Sequence, residues 1–248
     1  MEPIVDTTVS VSFSLRGDAF TNPEVFDMIR YCHDHNIGSE VPSNLSYKFS
    51  DSDLMKIIDS KLDHLIVAVD GTTQEVYEKY RRGGKLNWVL DNSRRLIELK
   101  KKVGSHTPLM ECKFVVFRHN KHQYDDAKQL SQEIGFDRFS SVLDHGDPDR
   151  LKFRADKLEH LDRTHKPCFW VYRTAIICCD GMVCPCCSDK FNMGNAISDN
   201  ILTVWNGAKY QALRQMFVTG KPTDDNSKGC IGCPSFWGTK HYMKQTTD

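Results

Sequence analysis

The chain has 248 residues and 28.5 kDa, with 40% hydrophobic and 27% charged residues, which fits a globular protein with a sizeable core and excludes a disulfide-stapled miniprotein or a disordered chain. Lys+Arg and Asp+Glu stand at 33 each, so no positive excess favours nucleic acid or an anionic membrane as partner. No apolar run approaches the roughly 20 residues that span a bilayer, and Met1–Val11 lacks the basic start and long apolar stretch of a secretory signal, so a cytoplasmic location is expected.

Val9, Val11, Phe13 and Leu15 alternate with Ser10, Ser12 and Ser14, the pattern of a strand with two different faces. After a turn at Arg16-Gly17-Asp18, Asn22-Pro23-Glu24 predicts a helix start, with Val25, Met28, Ile29 and Cys32 as its apolar stripe and Asn36-Ile37-Gly38 as its end. A weaker strand over 39–43 precedes a helix capped by Ser50 and Asp53 and carrying Leu54, Ile57 and Ile58. Leu65-Ile66-Val67-Ala68-Val69 is the clearest strand; it stops at Asp70-Gly71, where Thr72 and Glu75 predict a capping box.

A long helix over 85–102 follows, with Leu86, Val89, Leu90, Leu96, Ile97 and Leu99 buried and Lys100, Lys101 and Lys102 closing it. Then come a strand from Leu109 to Phe117, a helix over 122–134 and a short strand over 137–142. This alternation implies parallel strands with right-handed crossovers, either an open doubly wound sheet or a barrel.

Residues 144–167 hold 12 charged residues and two prolines in 24 positions and read as a linker. Beyond it, Leu202, Trp205, Leu213, Met216 and Phe217 predict two short helices broken near Gly207. So little core calls for support from a bound metal centre.

Eight of the ten cysteines (168, 178, 179, 184, 186, 187, 230 and 233) fall between residues 168 and 233. In a reducing compartment such clustering favours metal ligation over disulfides, whereas Cys32 and Cys112 sit in apolar patterns and read as small buried hydrophobes. Cys230-Ile231-Gly232-Cys233 supplies two thiolates from one turn; Cys168 and one or two of Cys184, Cys186 and Cys187 complete four ligands. That count serves a tetrahedral zinc or a cubane cluster equally.

Cys168, Gly181, Cys186, Gly194-Asn195, Val204-Trp205-Asn206 and Cys230-x-x-Cys233, in that order, resemble the SPASM domain, the C-terminal iron-sulfur extension of many radical S-adenosylmethionine (SAM) enzymes. The form is similar to the single-cluster version, and the resemblance implies Cys168, Cys186, Cys230 and Cys233 as ligands of an auxiliary [4Fe-4S] cluster, with Cys184 and Cys187 next in line. Upstream, Gly17-Asp18-Ala19 with Asn22-Pro23-Glu24 resembles the radical SAM Gly-Glu-Pro segment and its helix start. Ser43-Asn44, Val69-Asp70-Gly71 and Tyr80-Arg81-Arg82-Gly83-Gly84 also look family-like. The resemblance implies that Gly17, Asp18, Asn44 and Asp70 sit at strand C-termini, where a parallel barrel gathers its cofactor.

The expected architecture is therefore α/β: a partial (β/α)6 radical SAM TIM-like barrel over 1–143 missing its first β/α unit, a charged linker over 144–166, and a small SPASM-like domain over 167–248. None of the ten cysteines falls in CxxxCxxC, the motif that binds the family's reductive cluster, so the reading is a truncated chain, a misassigned start or a natural fragment.

A complete relative would generate a 5′-deoxyadenosyl radical to modify a peptide, sugar or small metabolite, with a flavodoxin or ferredoxin as electron donor; the chain as given is expected to be inactive. A non-catalytic zinc or iron-sulfur module binding a protein or peptide is the alternative. His119-x-x-His122 reads as a solvated turn rather than a metal site, and Asn120 as either a turn former or a residue lining the barrel mouth.

Overall fold

The computed structural model describes residues 2–13, 17–143, 168–187, 191–219, 221 and 230. The chain divides into two compact units, Thr7–Arg150 on one side and Met1–Asp6 with Leu151–Asp248 on the other.

In the Thr7–Arg150 unit, β1 (Ser10–Ser12), β2 (Gly38–Ser43), β3 (His64–Ala68), β4 (Leu109–Val116) and β5 (Arg138–Leu143) form one sheet in chain order, every pairing parallel. The crossovers are α1 (Val25–Asp34), α2 (Asp51–Asp59), α3 (Gln74–Tyr80) with α4 (Leu86–Val103), and α5 (Tyr124–Ile134). A doubly wound sheet reverses its strand order at a switch point. No reversal occurs here, so of the two arrangements left open by the sequence the sheet is of the barrel kind, and the described strands form an open arc.

The two faces of the arc differ because side chains alternate along a strand. Val41, Leu65, Val67, Met110 and Cys112 pack with Ile29, Leu54, Ile57, Leu96 and Ile134 of the helices in one core. Their neighbours Glu40, His64 and Glu111 therefore project from the opposite face, where each strand contributes to a polar row. Ser12 Oγ donates to Glu40 Oε1 at 3.0 Å. His64 Nδ1 lies 3.3 Å from Glu40 Oε2 and its Nε2 lies 3.1 Å from Glu111 Oε2. Ser140 Oγ donates to Glu111 Oε1. The His64–Glu111 approach lacks hydrogen-bond alignment and leaves Nε2 buried without a partner.

The sequence located these elements, and the structure moves several edges. α1 begins at Val25 rather than at Pro23, although Asn22 Oδ1 does accept the Glu24 N–H at 3.0 Å. The Ser50–Asp53 capping box forms in both directions. The cap of α3 is Thr73, accepting from Val76 N, and not Thr72 with Glu75, because the Thr72 N–H is taken by Gln123 Oε1 at 2.9 Å. Lys100 does not merely close α4: it is 8% exposed, with Nζ bound to the Pro108 carbonyl at 2.5 Å and to Asp137 Oδ2 at 3.3 Å. The linker expected over 144–166 lies outside the described residues.

The second unit has a three-stranded antiparallel sheet of β6 (Ile176–Ile177), β7 (Met182–Cys184) and β8 (Gly194–Asn195), with helices α6 (Trp170–Arg173), α7 (Ile201–Trp205) and α8 (Ala208–Thr219). The predicted break at Gly207 separates α7 from α8. A small core joins Val171, Val183, Phe191, Met193, Val204, Tyr210, Leu213 and Met216 with Cys230. Among the described residues no helix is long and apolar enough to cross a membrane.

Candidate metal centre and cofactor site

The strand ends of the first unit gather the residues expected to hold a cofactor. Gly17, at φ +78°, leads into a single 3-10 turn, Ala19–Thr21, capped by Asp18. Asp18 Oδ1 accepts from Phe20 N at 3.2 Å, and its Oδ2 accepts from Ser43 Oγ at 2.7 Å and Asn44 N at 3.2 Å. One carboxylate thus ties the Gly17 segment to the C-terminal end of β2 and brings Asp18 and Asn44 together.

Asp70, just beyond β3, is 0% exposed. Its Oδ1 accepts from Val115 N at 2.7 Å and its Oδ2 from Arg81 Nε at 2.6 Å. Asn120, also 0% exposed, donates to the carbonyls of Asp70 at 3.0 Å and Val115 at 2.8 Å and accepts from Phe117 N at 2.7 Å. It is the turn former of the two roles open to it. Gly71 is required by close approach, since a Cβ there would lie 2.7 Å from Tyr77 N. Burial pushes the Tyr77 hydroxyl up to about 12; Arg81 works against the shift, and Asp70 and Asp18 add to it. Those three charges therefore surround a hydroxyl that is buried and makes no hydrogen bond.

The cysteine-rich unit is held by Arg214. Its Nε donates to the Val171 carbonyl at 3.0 Å and its Nη1 to the Trp205 carbonyl at 3.0 Å, while its Cζ lies 4.4 Å from the Trp205 ring centroid and 5.0 Å from that of Tyr210. Tyr210 Oη donates to the Cys184 carbonyl at 3.4 Å. Burial pushes the Tyr210 hydroxyl far above the ordinary phenol range; Arg214 works against the shift, and Cys184 and Cys186 add to it.

Cys168 stands two residues before α6, whose Val171 enters the core. Cys230 is 8% exposed in that core and Cys186 packs against it. Cys184 ends β7 with Sγ 3.2 Å from the Phe191 carbonyl, and Cys187 is exposed. Cys233 lies outside the described residues. Among the described residues no three His, Cys, Asp or Glu side chains are gathered as a ligand set. The donors that border this small core are nonetheless thiols, the chemistry that suits iron-sulfur clusters and zinc.

Gly181 and Asn195 have a defined task. Gly181 adopts φ +82°, and a Cβ there would lie 2.5 Å from Asn195 Oδ1. Asn195 holds the hairpin turn through Nδ2 to the Asp180 carbonyl at 2.9 Å and through Oδ1 from Ile197 N at 2.8 Å. Cys32 and Cys112 are buried, as expected of apolar fillers, and burial pushes the Cys112 thiol up to about 12.

Residues 168–234 match the family model of SPASM, an iron-sulfur cluster-binding domain. The chain carries a SPASM domain. Its fold follows that of Streptococcus suis SuiB. The structure of SuiB bound to S-adenosylmethionine superposes at a TM-score of 0.63 and 14% identity, over 92% of this chain and 58% of that one. The structure of SuiB bound to its precursor peptide SuiA superposes at 0.62 and 14%, over 84% of this chain and 56% of that one. A search of curated proteins gives no significant match. The chain thus spans a little over half the length of those structures, and what it shares with them is the fold.

Sequence reasoning missed Tyr77, Tyr210 and Arg214. Tyr210 carries a helical spacing signal, lying three residues before Leu213 of the same core, whereas Tyr77 has none, since Tyr80 three residues on is exposed. Arg214 has no signal in the sequence, because its partners are backbone carbonyls and ring faces from three helices.

Proposed function

We propose that this chain supplies the SAM-holding wall and the auxiliary iron-sulfur domain of a radical SAM/SPASM enzyme that modifies a peptide. The observation that carries the reading is the SPASM match over 168–234 joined to a fold that follows SuiB across 92% of the chain. The precursor peptide held by SuiB favours a peptide over a sugar or small metabolite.

When bound, SAM and a reduced cluster supply a 5′-deoxyadenosyl radical for hydrogen abstraction. The chain's own residues do the positioning. Gly17, Asp18 and Asn44 form one hydrogen-bonded rim for the amino-acid end of SAM, and Asp70 fixes the β3 and β4 ends from within. Cys168, Cys186, Cys230 and Cys233 hold the auxiliary [4Fe-4S] cluster, with a flavodoxin or ferredoxin as donor in the cytoplasm.

The second reading is a non-catalytic zinc or iron-sulfur cysteine module that binds a protein or peptide, and the thiols bordering the small core, which serve zinc as well as a cubane, favour it. Anaerobic reconstitution separates the two. The first reading expects brown protein with about four irons per chain, calorimetric SAM binding, loss of most iron in the Cys230→Ser/Cys233→Ser double variant, and no sustained 5′-deoxyadenosine from this chain alone. Colourless protein that keeps one tightly held zinc, and does not bind SAM, would establish the module instead.

A further inference from the structure

The three helices of the second unit meet at Arg214. Its Nε and Nη1 each spend a hydrogen bond on a backbone carbonyl, Val171 in α6 and Trp205 at the end of α7. The remaining nitrogen, Nη2, is buried and has no hydrogen-bond partner among the described residues. The rings of Trp205 and Tyr210 cover the guanidinium at 4.4 and 5.0 Å, and among the described residues of this unit no Asp or Glu is buried. Burial pulls the pKa of Arg214 down from the ordinary guanidinium value, yet arginine keeps its charge in proteins. A cation withdrawn from water and left without an anion is costly, so this core is built for negative charge that comes with something else.

Among the described residues of this core, the groups that gain negative charge on binding a metal are thiols. Tyr210 precedes Arg214 by four positions on α8, the spacing that puts two side chains on one helix face. Its hydroxyl meets the carbonyl of Cys184 at 3.4 Å, and Cys186 and Cys230 border the same core. One aromatic ring therefore stands between the guanidinium and the cysteine-bearing end of β7. Free thiols, with pKa about 8.5, are mostly neutral at neutral pH. Four thiolates around a zinc or an oxidised cubane together carry a net charge of about −2. The anion that Arg214 lacks arises when the centre is loaded.

We propose that Arg214 is the counter-cation of the thiolate centre, a positioning residue that acts across the Tyr210 ring to stabilise the negative charge of the loaded state and, in a cluster, the further charge of the reduced state. The inference rests on the proposed function in taking these cysteines as ligands, and it applies to a cluster and to a zinc alike because both leave the same net charge. Net charge is one of the quantities that set a cluster's reduction potential. A unit charge one ring away in a protein interior changes such an equilibrium by about tenfold.

The test uses the full chain reconstituted anaerobically with iron and sulfide, with iron content measured and the cluster's midpoint potential read by electron paramagnetic resonance in a dye-mediated titration. Arg214→Gln keeps an amide donor and removes the charge, whereas Arg214→Lys keeps the charge and removes the planar fork. The Gln variant should bind the electron about tenfold more weakly, a potential about 59 mV lower for one electron, and the Lys variant should stay within about twofold of the parent. Where the Gln variant loads, a drop that the Lys variant does not share upholds the inference; an unchanged potential, or a drop shared by Lys, overturns it and makes Arg214 a scaffold residue. Where the Gln variant does not load, Lys decides: a cluster at the parent's potential upholds the inference, and a lost cluster or a shifted potential overturns it. In each of these cases the brown parent protein leaves the proposed function standing.

If the parent is colourless and holds zinc, the proposed function falls, and the same two variants decide Arg214 through competition for zinc with a chromophoric chelator. Zinc held about tenfold more weakly by the Gln variant alone upholds the inference; equal binding in all three proteins, or equal loss in both variants, overturns it. A parent that holds neither metal overturns both.

Discussion

Asp18 and Ser43 are 25 residues apart in the chain, and their side chains meet in a 2.7 Å hydrogen bond that joins the Gly17 segment to the end of β2. The same carboxylate holds Asn44 N and Phe20 N, so it performs a local structural task.

Asp18→Ala removes the acceptor of three donors. It should cost about 1.5–3 kcal/mol in urea unfolding and weaken SAM by more than Asn44→Ala does, because the Asn44 bond to Asp18 comes from its backbone. Equal losses of SAM affinity in the two variants would place the Asn44 side chain in direct contact with the ligand.

Asn120→Ala leaves the Phe117 N–H, the Asp70 carbonyl and the Val115 carbonyl without their partner inside the fold. A loss of about 2–4 kcal/mol is expected, with hydrogen exchange rising first at Phe117. Asn120→Asp keeps the acceptor for Phe117 but not the two donors, and should recover only part of the loss.

Cys112 and Tyr77 each have a folded pKa raised to about 12 by burial. The unfolded chain releases these protons near its ordinary thiol and phenol values, about 8.5 and 10. Between those values and about pH 12 the native state binds more protons than the unfolded one, so their contribution is complete below about pH 8.5 and is lost as pH climbs toward 12. Urea midpoints should fall over that range, and Tyr77→Phe should flatten the upper part of the fall. At pH 8, iodoacetamide should label Cys179 and Cys187 of metal-free protein and spare Cys32 and Cys112.

Gly181→Ala forces a Cβ against Asn195 Oδ1 and Ile197 in a backbone conformation that L residues avoid. The SPASM domain should lose upwards of about 1 kcal/mol and load less iron, with the Thr7–Arg150 unit unchanged. Differential proteolysis reads the two units separately.

The sequence read the first unit well because its signals are local. The Ser50–Asp53 cap and the apolar run at 65–69 need no distant partner to be recognised, and the βα alternation implied parallel strands while leaving their order open. Errors arose where a distant group decided the outcome. Gln123, 51 residues away, takes the Thr72 N–H and shifts the cap to Thr73. Lys100 looked solvated beside Lys101 and Lys102, yet it follows Leu96 by four positions and Ile97 by three, so it shares their buried face and finds Asp137 there. At the candidate sites, type and spacing made the cysteine cluster legible, Asp18 and Asp70 entered only through the family resemblance, and Arg81 was quoted only as part of a motif. Its 2.6 Å contact with buried Asp70, 11 residues earlier, is a fact of the fold alone.

The polar row Ser12, Glu40, His64, Glu111 and Ser140 takes one residue from each strand of the sheet. Shifting any one strand by a single residue would turn its member toward the helix-packed side and, in one of the two directions, bring Val11, Val41, Leu65, Met110 or Phe139 to the polar face. The row therefore acts as a parity check on assembly: five strands drawn from 129 positions of chain, Ser12 to Ser140, are accepted only when all five are in phase. Parallel strands have no tight hairpin to set their alignment, and here alignment is written into charge across the sheet.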